Sequence, residues 1–528
     1  MMEMYKPKHN PWIVALAVSL ATIMEVLDTS IANVALPHIA GSLGASEEEA
    51  TWVITAYLVA NAIILPISAY MSSIFGRKRF YTISVIVFGL SSLLCGLAPS
   101  LSLLLFFRVV QGLGGGGLQP SAQSILVDAF PQEKRGQAIA VYGIAAIMAP
   151  IAGPTLGGWI TDNFDWRWCF FINIPVAILS LILTNLCIED TPAIKLQVEE
   201  AKRSGFKTDL TGFLLVALTF GCLEVVLDKG QEKDWFSSRM IIAFSVICAA
   251  SLLSMIAWEL WQIHKRNRPI IDLRVFANRN FSISFVLIFT TGFILYASIV
   301  LLPQFLQTLM GYTAELAGLA MSIGGLAMMI GMPIVGYLSA KVDERYLIVF
   351  GIVCMALSLY YTRTLDLQVS FGYVSWLRLC QSIGLPFLFV PVYVLAYVGA
   401  DKSKSNDIAG LINLAKNLGG SCGTSFFTTV LARHAQIHQQ FLVKHVNDGA
   451  AAWSNKYQML TQHALIHTPS RIDAQHHALA SFYQIIHQQA AVLAYLDVVQ
   501  ALTVIVACTI PLVLFMKKPP KRLQEGTR

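Results

Sequence analysis

Charged residues are scarce in this sequence of 528 residues. Asp, Glu, Lys and Arg make up 13% of the chain, against about 25% in a typical soluble domain, whereas 55% is hydrophobic and the mean hydropathy is +0.62. This excludes a water-soluble globular protein and indicates an integral membrane protein with many spans. The net charge is +6, but the basic residues are dispersed among short loops. A nucleic-acid partner, which needs a clustered basic face, is therefore not expected.

Several chemical motifs are also missing. The nine cysteines show no disulfide or zinc-ligand spacing, and without a G-x-x-x-x-G-K-[ST] loop ATP is not expected to supply energy. Residues 112–117 match G-x-G-x-x-G and residues 419–423 match G-x-S-x-G. Both lie in apolar runs without a preceding strand, so helix packing is favoured over a nucleotide site or a hydrolase. We expect no enzyme activity, no cofactor and no metal site.

Long apolar runs, by contrast, are abundant, and about 20 such residues suffice to cross a bilayer as a helix. The first run, from Pro11 to Pro37, is too long for a signal peptide, so we expect it to remain as an uncleaved helix. The sequence predicts an all-α integral membrane fold with fourteen spans, near 11–36, 51–71, 80–98, 102–127, 137–160, 169–188, 209–228, 240–262, 281–303, 314–339, 347–361, 370–398, 408–431 and 492–516.

Basic residues indicate the orientation of these helices. With the amino terminus in the cytoplasm, 25 of the 37 Lys and Arg fall in cytoplasmic segments, so the positive-inside rule predicts that both termini are cytoplasmic. Similar tight loops, AYMSSIFGRKR at 69–79 and GYLSAKVDER at 336–345, indicate two six-helix halves. The predicted domains are a first half at 1–208, an inserted helix pair at 209–262, expected at the periphery, and a second half at 263–528.

The second half contains a polar segment, 432–491, on the predicted outer side. It holds eight of the eleven His and has apolar residues at helical spacing, which predicts a periplasmic helical hairpin standing off the membrane. The pairs His434/His438 and His463/His467 could ligate zinc, but the segment has no Cys and few acids. A docking surface for a partner helix is favoured over a zinc site or a passive spacer.

Two acids, Glu25 and Asp28, are the only charges in the first apolar run. They share one helix face with small residues, opposite a face of large aliphatic ones. Because a carboxylate facing lipid costs at least about 2.5–3.5 kcal/mol, this face must border protein or a water-filled cavity. One helical turn apart, the two carboxylates repel each other when both are charged. The pair is therefore a candidate for taking up and releasing protons.

Other buried charges have two interpretations each. Arg108 in the fourth span lies at a depth similar to that of Glu25, so an arginine–carboxylate contact could serve proton coupling or simply anchor the first helix. Glu224 in the seventh span is expected to be structural or interfacial, within one turn of Asp228. In the fifth span, APIAGPTLGG at 149–158 contains prolines that should kink the helix and a G-x-x-x-G that favours close packing of the kind a rocking interface needs.

Four segments, in order along the chain, carry a family resemblance. They are LDTSIANVALP in the first span, RVVQGLGGGG in the fourth, APIAGPTLGG in the fifth and WRWCFFINIP at 166–175. Together they resemble the fourteen-helix branch of the major facilitator superfamily, and most of all EmrB/QacA-type drug:proton antiporters, over nearly the whole chain. The resemblance implies two six-helix bundles plus two inserted helices, and proton-driven export of drugs or other amphipathic compounds.

Individual residues match the motifs of that family. Asp28 matches the acid of the first-helix motif and Arg108 the buried arginine of the fourth, which adds both to Glu25 as proton-coupling candidates. The conformational, or antiporter, motif falls on Pro150, Gly153, Pro154, Gly157 and Gly158. The loop after the second span keeps Gly76, Arg77, Lys78 and Arg79, but Ser73 stands where the family has an Asp and Ala340 stands there in the second copy. The carboxylate latch of the inner gate is therefore in question.

The resemblance also implies partners. Segment 432–491 is similar in place and length to that of EmrB-like pumps, which pass substrate to a periplasmic adaptor and an outer-membrane channel. This implies a Gram-negative inner membrane, with protons and a small molecule as the transported species. Export of one metabolite, such as a siderophore or a fatty acid, and proton-coupled uptake remain alternatives. A channel is disfavoured because the chain has no repeated filter or charged ring, and a transport-inactive scaffold is left open.

Overall fold

A computed structural model of the protein describes residues 10–203, 209–265, 269–399, 404–444, 451–466 and 470–517. In these ranges the regular secondary structure is helical, without a β-strand. The α-helices are α1 (Pro11–Leu43), α2 (Glu47–Phe75), α3 (Arg77–Gly96), α4 (Leu101–Gly115), α5 (Leu118–Ala129), α6 (Arg135–Asn163), α7 (Trp168–Phe171), α8 (Asn173–Cys187), α9 (Pro192–Arg203), α10 (Leu210–Lys229), α11 (Arg239–His264), α12 (Arg279–Gln304), α13 (Ala314–Leu338), α14 (Glu344–Thr362), α15 (Phe371–Ala396), α16 (Ser405–Lys444), α17 (Ala451–Leu465), α18 (Arg471–Ala507) and α19 (Ile510–Leu514).

Local sequence signals set the ends of the first two helices. The Asn10 side chain caps α1 by accepting a hydrogen bond of 3.0 Å from the backbone N–H two residues on. Gly44 ends α1 at a φ of 64°, in the left-handed region that glycine tolerates best. Ser46 and Glu49 form a capping box that starts α2. The two helices are therefore joined by a tight turn.

Thirteen helical segments of the described chain are long and apolar enough to cross a membrane. They match thirteen of the fourteen predicted spans; the fourth is broken into α4 and α5 at its glycine run, and the ninth continues into a π-helical turn at Phe305–Leu309. The span predicted near 408–431 lies within α16, where Asn413, Lys416 and Asn417 reduce the hydropathy. Packing of α16 against α2, α5, α12 and α18 keeps the first two of these buried.

The helices form two groups that pack mainly within themselves. In the first, α1 contacts α2, α5, α6 and α8, and in the second, α12 contacts α13, α15, α16 and α18. Between the groups, α6 packs against α13, and α2 and α5 pack against α16. The α6–α13 contact is close, since a Cβ on Gly136 would lie 2.9 Å from the carbonyl oxygen of Gly336. The domain boundaries at 208/209 and 262/263 stay predictions.

The inserted pair, α10 and α11, is not wholly peripheral. Helix α10 packs against α2 of the first group and α16 of the second, while α11 packs on α10 and exposes large side chains such as Val246 and Leu253. The expectation of a peripheral pair is thus wrong for α10. Hydrophobic periodicity identifies such a helix but contains no information about where it docks.

Helix α16 extends far beyond the length of one span. It runs for 40 residues without a break, about 60 Å at 1.5 Å per residue, whereas the hydrocarbon core of a bilayer is about 30 Å thick. Helix α17 packs against α18, which begins at Arg471 and continues to Ala507. The described parts of segment 432–491 are therefore mostly helical and continuous with the helices of the second group.

Candidate functional site

A cavity of about 310 Å³ lies between the two groups of helices. Residues of α1, α2, α5, α6, α10, α12 and α16 line it. Three of them are acids, Glu25, Glu224 and Asp228, and among the described residues that line the cavity there is no Lys or Arg. The cavity wall is therefore acidic, which favours protons and cations.

The cavity lies toward one end of the bundle. Its lining residues on α1 and α2 lie between 25 and 33 and between 54 and 62, toward the turn that joins these two helices. The opposite end, called the closed end here, is sealed by contacts between the groups. Asn413 of α16 donates to Gln123 of α5 at 2.6 Å, and the Tyr142 hydroxyl of α6 donates to Asn413 at 3.2 Å.

Glu25 is the central acid of the cavity wall. It is 3% exposed, and its Oε1 accepts hydrogen bonds of 3.1 Å from Asn61 Nδ2 and from Gln119 Nε2. Its Oε2 is buried without a hydrogen-bond partner among the described residues. Since a protonated carboxyl needs one free oxygen for its O–H, Glu25 can take up a proton without breaking a hydrogen bond.

Gln119 links Glu25 to the second group of helices. While its Nε2 donates to Glu25, its Oε1 accepts from Lys416 Nζ of α16 and lies 3.2 Å from the Tyr142 hydroxyl oxygen. Lys416 is itself buried, so a buried carboxylate and a buried ammonium share one amide. Sequence reasoning assigned no role to Lys416, although an ionisable residue inside a span is a functional signal by default.

Arg108 contacts Asp28 rather than Glu25. Its Nη1 lies 2.6 Å from Asp28 Oδ2, and both side chains are fully buried. The other oxygen of Asp28 accepts from Gln111 Nε2 at 2.9 Å and from Asn173 Nδ2 at 2.7 Å. Every carboxylate oxygen of Asp28 is therefore bonded.

The two acids of α1 consequently have different surroundings. Glu25 faces the cavity with one oxygen free, whereas Asp28 does not line the cavity and is held by α4 and α8. A proton could reach Asp28 only by disrupting a buried, hydrogen-bonded ion pair, whose breakage costs about 3–5 kcal/mol. These contacts favour the structural interpretation, an ion pair that anchors α1 to α4, for Asp28 and Arg108. They favour proton uptake for Glu25.

Glu224 and Asp228 of α10 complete the acidic wall. Glu224 is buried and accepts a hydrogen bond of 2.6 Å from the Ser421 hydroxyl, and Asp228 accepts one from the Thr55 hydroxyl. Glu224 is interfacial, as expected, because it bonds across to α16, but it also lines the cavity, which the expectation of a peripheral helix pair did not include. The available signal was the i,i+4 spacing of the two acids, which places both on one helix face.

The G-x-x-x-G of α6 packs against α1, within the first group. Gly153 lies against Ser30, whose hydroxyl donates to the carbonyl of Pro150 at 3.2 Å. A Cβ on Gly157 would lie 3.2 Å from the Cα of Ile31. Close helix packing is observed here, but it fixes α1 to α6 rather than forming the interface between the groups.

The other members of the antiporter motif have different surroundings. Pro150 lines the cavity and Pro154 is exposed, and α6 continues through both. Apart from the adjoining backbone of α6, no heavy atom of the described residues lies within 4 Å of the position that a Cβ on Gly158 would occupy. Gly158 is therefore not a packing contact in this conformation.

Arg77 retains a carboxylate partner at the closed end. Its Nη1 lies 2.7 Å from Asp128 Oδ2 at the end of α5, and its Nη2 donates to Ser405 Oγ of the second group at 3.2 Å. The hydroxyl of Ser73, which stands where the family has an Asp, donates to the carbonyl of Tyr70 in its own turn, and to no other group among the described residues. Arg77 thus has a carboxylate partner, but on Asp128 of α5 rather than at position 73.

The remaining residues of this loop surround Arg77. Gly76 has a φ of 89° and joins α2 to α3. The Lys78 backbone N–H donates to Asp190 Oδ1 at 2.9 Å, and its Nζ donates to the carbonyl of Asn185 at 2.8 Å. Arg79 is exposed. Only Arg77 of the three basic residues contacts the second group in the described structure.

The two misleading glycine motifs are packing sites. A Cβ on Gly114 would lie 2.8 Å from the backbone nitrogen of Phe88 in α3. Gly419 and Gly423 of α16 lie against the backbone of α12 at Phe289 and Phe293. The interpretation as helix packing is therefore confirmed for both motifs.

A small cluster of ionisable side chains, away from the closed end, joins α16 to α18. His434 Nδ1 and His438 Nε2 lie 2.6 and 2.7 Å from Asp497 Oδ2, and these three residues could in principle hold a metal ion. Asp497 lies outside segment 432–491, which explains why the sequence indicated an incomplete ligand set. Of the second His pair, His467 lies outside the described residues.

Comparisons with known proteins agree with this architecture. The model of the Major Facilitator Superfamily matches residues 18–424. The chain is 37% identical to the multidrug export protein EmrB of Haemophilus influenzae, covering 86% of this chain and 87% of that protein. It is 32% identical to the fatty acid resistance protein FarB of Neisseria gonorrhoeae, covering 96% of both. The proton:xylose symporter XylE, 16% identical, shares the fold with a TM-score of 0.53, covering 92% of this chain and 94% of that one. The chain therefore belongs to the Major Facilitator Superfamily.

Proposed function

We propose that this multi-pass protein of the bacterial inner membrane is a proton-driven exporter of drugs or other amphipathic compounds. The observation that carries the proposal is Glu25, a buried carboxylate with one unbonded oxygen in the wall of a cavity between two helix groups. The EmrB relative is named as a multidrug export protein. Transport of this kind changes no covalent bond and needs no cofactor.

The proposal includes an orientation. Helix α16 crosses the membrane at the predicted span 408–431 and brings the number of spans to fourteen; its length and its packing among α2, α5, α12 and α18 support this. Both termini are cytoplasmic, as the distribution of basic residues indicates. The closed end, with Arg77, then faces the cytoplasm, and the cavity lies on the periplasmic side. The described conformation corresponds to the outward-facing side of an alternating-access cycle.

In this cycle Glu25 exchanges protons for substrate. A proton entering from the periplasm neutralises Glu25 and weakens the attraction of the wall for a cationic compound, which leaves. The groups then tilt, Arg77 separates from Ser405, and Glu25 loses its proton to the cytoplasm. When the exported compound is neutral, one proton moving inward down 100 mV supplies about 2.3 kcal/mol, enough for a gradient of roughly fifty-fold at one-to-one coupling. Exchange of one proton for one monovalent cation moves no net charge, so the pH gradient alone drives it.

The remaining predicted residues support this exchange. The Asp28–Arg108 pair holds α1 against α4, and so fixes the position of Glu25 from one turn away. Gly153 and Gly157 hold α1 against α6 on another side. In this proposal these residues couple to the proton through the placement of α1.

The helices beyond the membrane form a docking site for partners. Helices α16, α17 and α18 stand off on the periplasmic side in the proposed orientation, where a periplasmic adaptor and an outer-membrane channel would receive the substrate. Exposed apolar side chains at Ile437 and Phe441, one turn apart on α16, suit a partner helix. The protein is then the inner-membrane part of a tripartite system.

Export of a fatty acid is the second candidate, because a relative that matches 96% of the chain is named a fatty acid resistance protein. The electrostatics of the cavity argue against it. Three acids line the wall without a basic residue among the described ones, which disfavours a carboxylate substrate.

Substrate-dependent proton release from proteoliposomes distinguishes these candidates. The purified protein is reconstituted with a pH gradient, and a lipophilic cation or a medium-chain fatty acid is added on the cytoplasmic side. We expect the cation to dissipate the gradient and the fatty acid to have no protein-dependent effect. A response to the fatty acid alone would favour the second candidate, and no response to either would contradict both.

A further inference from the structure

Arg378 of α15 is a buried cation without a carboxylate partner. Its side chain is 1% exposed, and one of its nitrogens, Nη1, donates to Gln381 Oε1 at 2.8 Å. Its Nε and Nη2 are buried and have no hydrogen-bond partner among the described residues. A guanidinium remains charged in any protein environment, and an uncompensated charge inside a membrane-spanning bundle is strongly unfavourable. Something else must balance this charge.

The internal repeat shows what is missing. Arg108 and Arg378 lie 270 residues apart, since 378 minus 108 is 270, and 270 residues also separate Asp28 from Ser298. Each arginine is followed three residues later by a glutamine. Gln111 donates a hydrogen bond of 2.9 Å to Asp28 of α1. Gln381 likewise donates one of 2.9 Å to the Ser298 hydroxyl of α12. The second group therefore reproduces the buried arginine and its glutamine, but a neutral serine takes the place of the acid.

Arg378 borders a small pocket between α12, α14, α15 and α18. The Nε of Arg378 lies against Gly324 of α13 instead, so Nη2 is the unbonded nitrogen left for this pocket. The free space of the pocket is about 20 Å³, enough for one water-sized occupant. Arg378, Gln381 and Ser298 form part of its polar lining, several leucines and valines form the remainder, and no carboxylate is among the described residues that line it. The Ser298 hydroxyl accepts from Gln381, which leaves its hydrogen available to an occupant. The pocket thus offers hydrogen-bond donors, one positive charge and room for a single small particle.

We propose that this pocket binds one small monovalent anion, such as chloride, as the counter-charge of Arg378. The bound anion takes the place that the Asp28 carboxylate holds beside Arg108 in the first group. A water molecule would fill the space but leave the charge unbalanced, and a larger organic carboxylate exceeds the available volume. The site is separate from the cavity of Glu25 and does not depend on which substrate the protein transports.

Halide-dependent stability tests the proposal. The full-length protein in detergent is unfolded thermally in potassium chloride, potassium bromide or potassium gluconate at equal ionic strength. We expect the melting temperature to rise in either halide by at least about 2 °C, with saturation at high concentration, since a ligand that binds only the folded state stabilises it. Identical melting temperatures in halide and gluconate would overturn the proposal.

Two substitutions separate a specific site from a general salt effect. Ser298→Asp supplies a covalent counter-charge and should remove the halide dependence, while Ser298→Ala leaves Arg378 unpaired and should retain it. An unchanged halide shift in Ser298→Asp would contradict the site. Should Ser298→Asp fail to fold, crystals of the unmodified protein in bromide provide the second measurement. An anomalous peak beside the Arg378 guanidinium supports the site, and its absence in well-ordered crystals overturns it.

Discussion

Replacing Glu25 by Gln should abolish proton-coupled export while leaving the fold intact. The glutamine Oε1 can keep both hydrogen bonds, from Asn61 and from Gln119. Only Oε2, which has no partner, becomes an N–H group, so the cost to stability should stay within about 1–3 kcal/mol. What is lost is the ability to bind and release a proton.

The effect on transport should be large. At a membrane potential of 100 mV, one proton coupled to the export of one molecule of a neutral substrate supplies about 2.3 kcal/mol. This energy corresponds to roughly fifty-fold accumulation of that substrate. Without a titratable group at this position the accumulation ratio in energised proteoliposomes should fall to about one. Downhill substrate exchange between equal pH values should persist, because it requires no proton.

Glu47→Gln is the matched control, since Glu47 is an exposed acid at the start of α2 and the chemical change is identical. It should transport like the unmodified protein. Full accumulation by Glu25→Gln, with proton release on addition of substrate, would refute the assignment of Glu25 as the proton site.

Three further perturbations test other parts of the structure. Asp28→Asn leaves Arg108 as an unpaired buried charge, so we expect a loss of about 3–5 kcal/mol in stability, seen as a lower melting temperature in detergent; an unchanged melting temperature would contradict the structural role. Glu224→Gln keeps the bond to Ser421 but removes an ionisable group from the cavity wall, so binding of a lipophilic cation at alkaline pH, where the acid is ionised, should weaken about fivefold, for about 1 kcal/mol of attraction through water, while a neutral compound binds as before. An unchanged affinity for the cation in this variant would show that Glu224 does not contribute to cation binding. Replacing 436–488 by a short flexible linker should spare transport in proteoliposomes and abolish drug resistance in whole cells; loss in both assays would argue against a docking role for the hairpin.

Hydropathy and motif order were sufficient to predict the helical membrane fold, because each span must satisfy its backbone internally and be apolar over its length. The exception is instructive. Helix α16 carries Asn413, Lys416 and Asn417 because other helices surround it, so it falls below the hydropathy of the remaining spans. Hydropathy is therefore least sensitive to a central helix that contacts both groups. The span near 408–431 was nevertheless predicted, because the run around these polar residues is long and otherwise apolar.

The partners of buried charges were less predictable. Depth along the helix placed Arg108 level with Glu25, but the direction of each side chain decides the contact, and the arginine binds Asp28 one turn away. The place of Glu224 in the cavity wall was not predictable for a related reason, since periodicity cannot locate the docking of α10 between α2 and α16. The carboxylate partner of Arg77 is Asp128 of a different helix, a contact visible only once α3 and α5 are packed together.

Because α16 is continuous, any rotation of the second helix group also moves the end of α16 that extends beyond the membrane. Close backbone contact at Gly419 and Gly423 fixes α16 rigidly to α12, and the helix continues another 21 residues from Gly423 to Lys444, about 32 Å at 1.5 Å per residue. Each degree of tilt in the second group then displaces the far end by about 0.5 Å. A partner bound at this end would be displaced whenever the second group tilts. A rigid cross-link from this end to a fixed partner would therefore hold the transporter in one conformation.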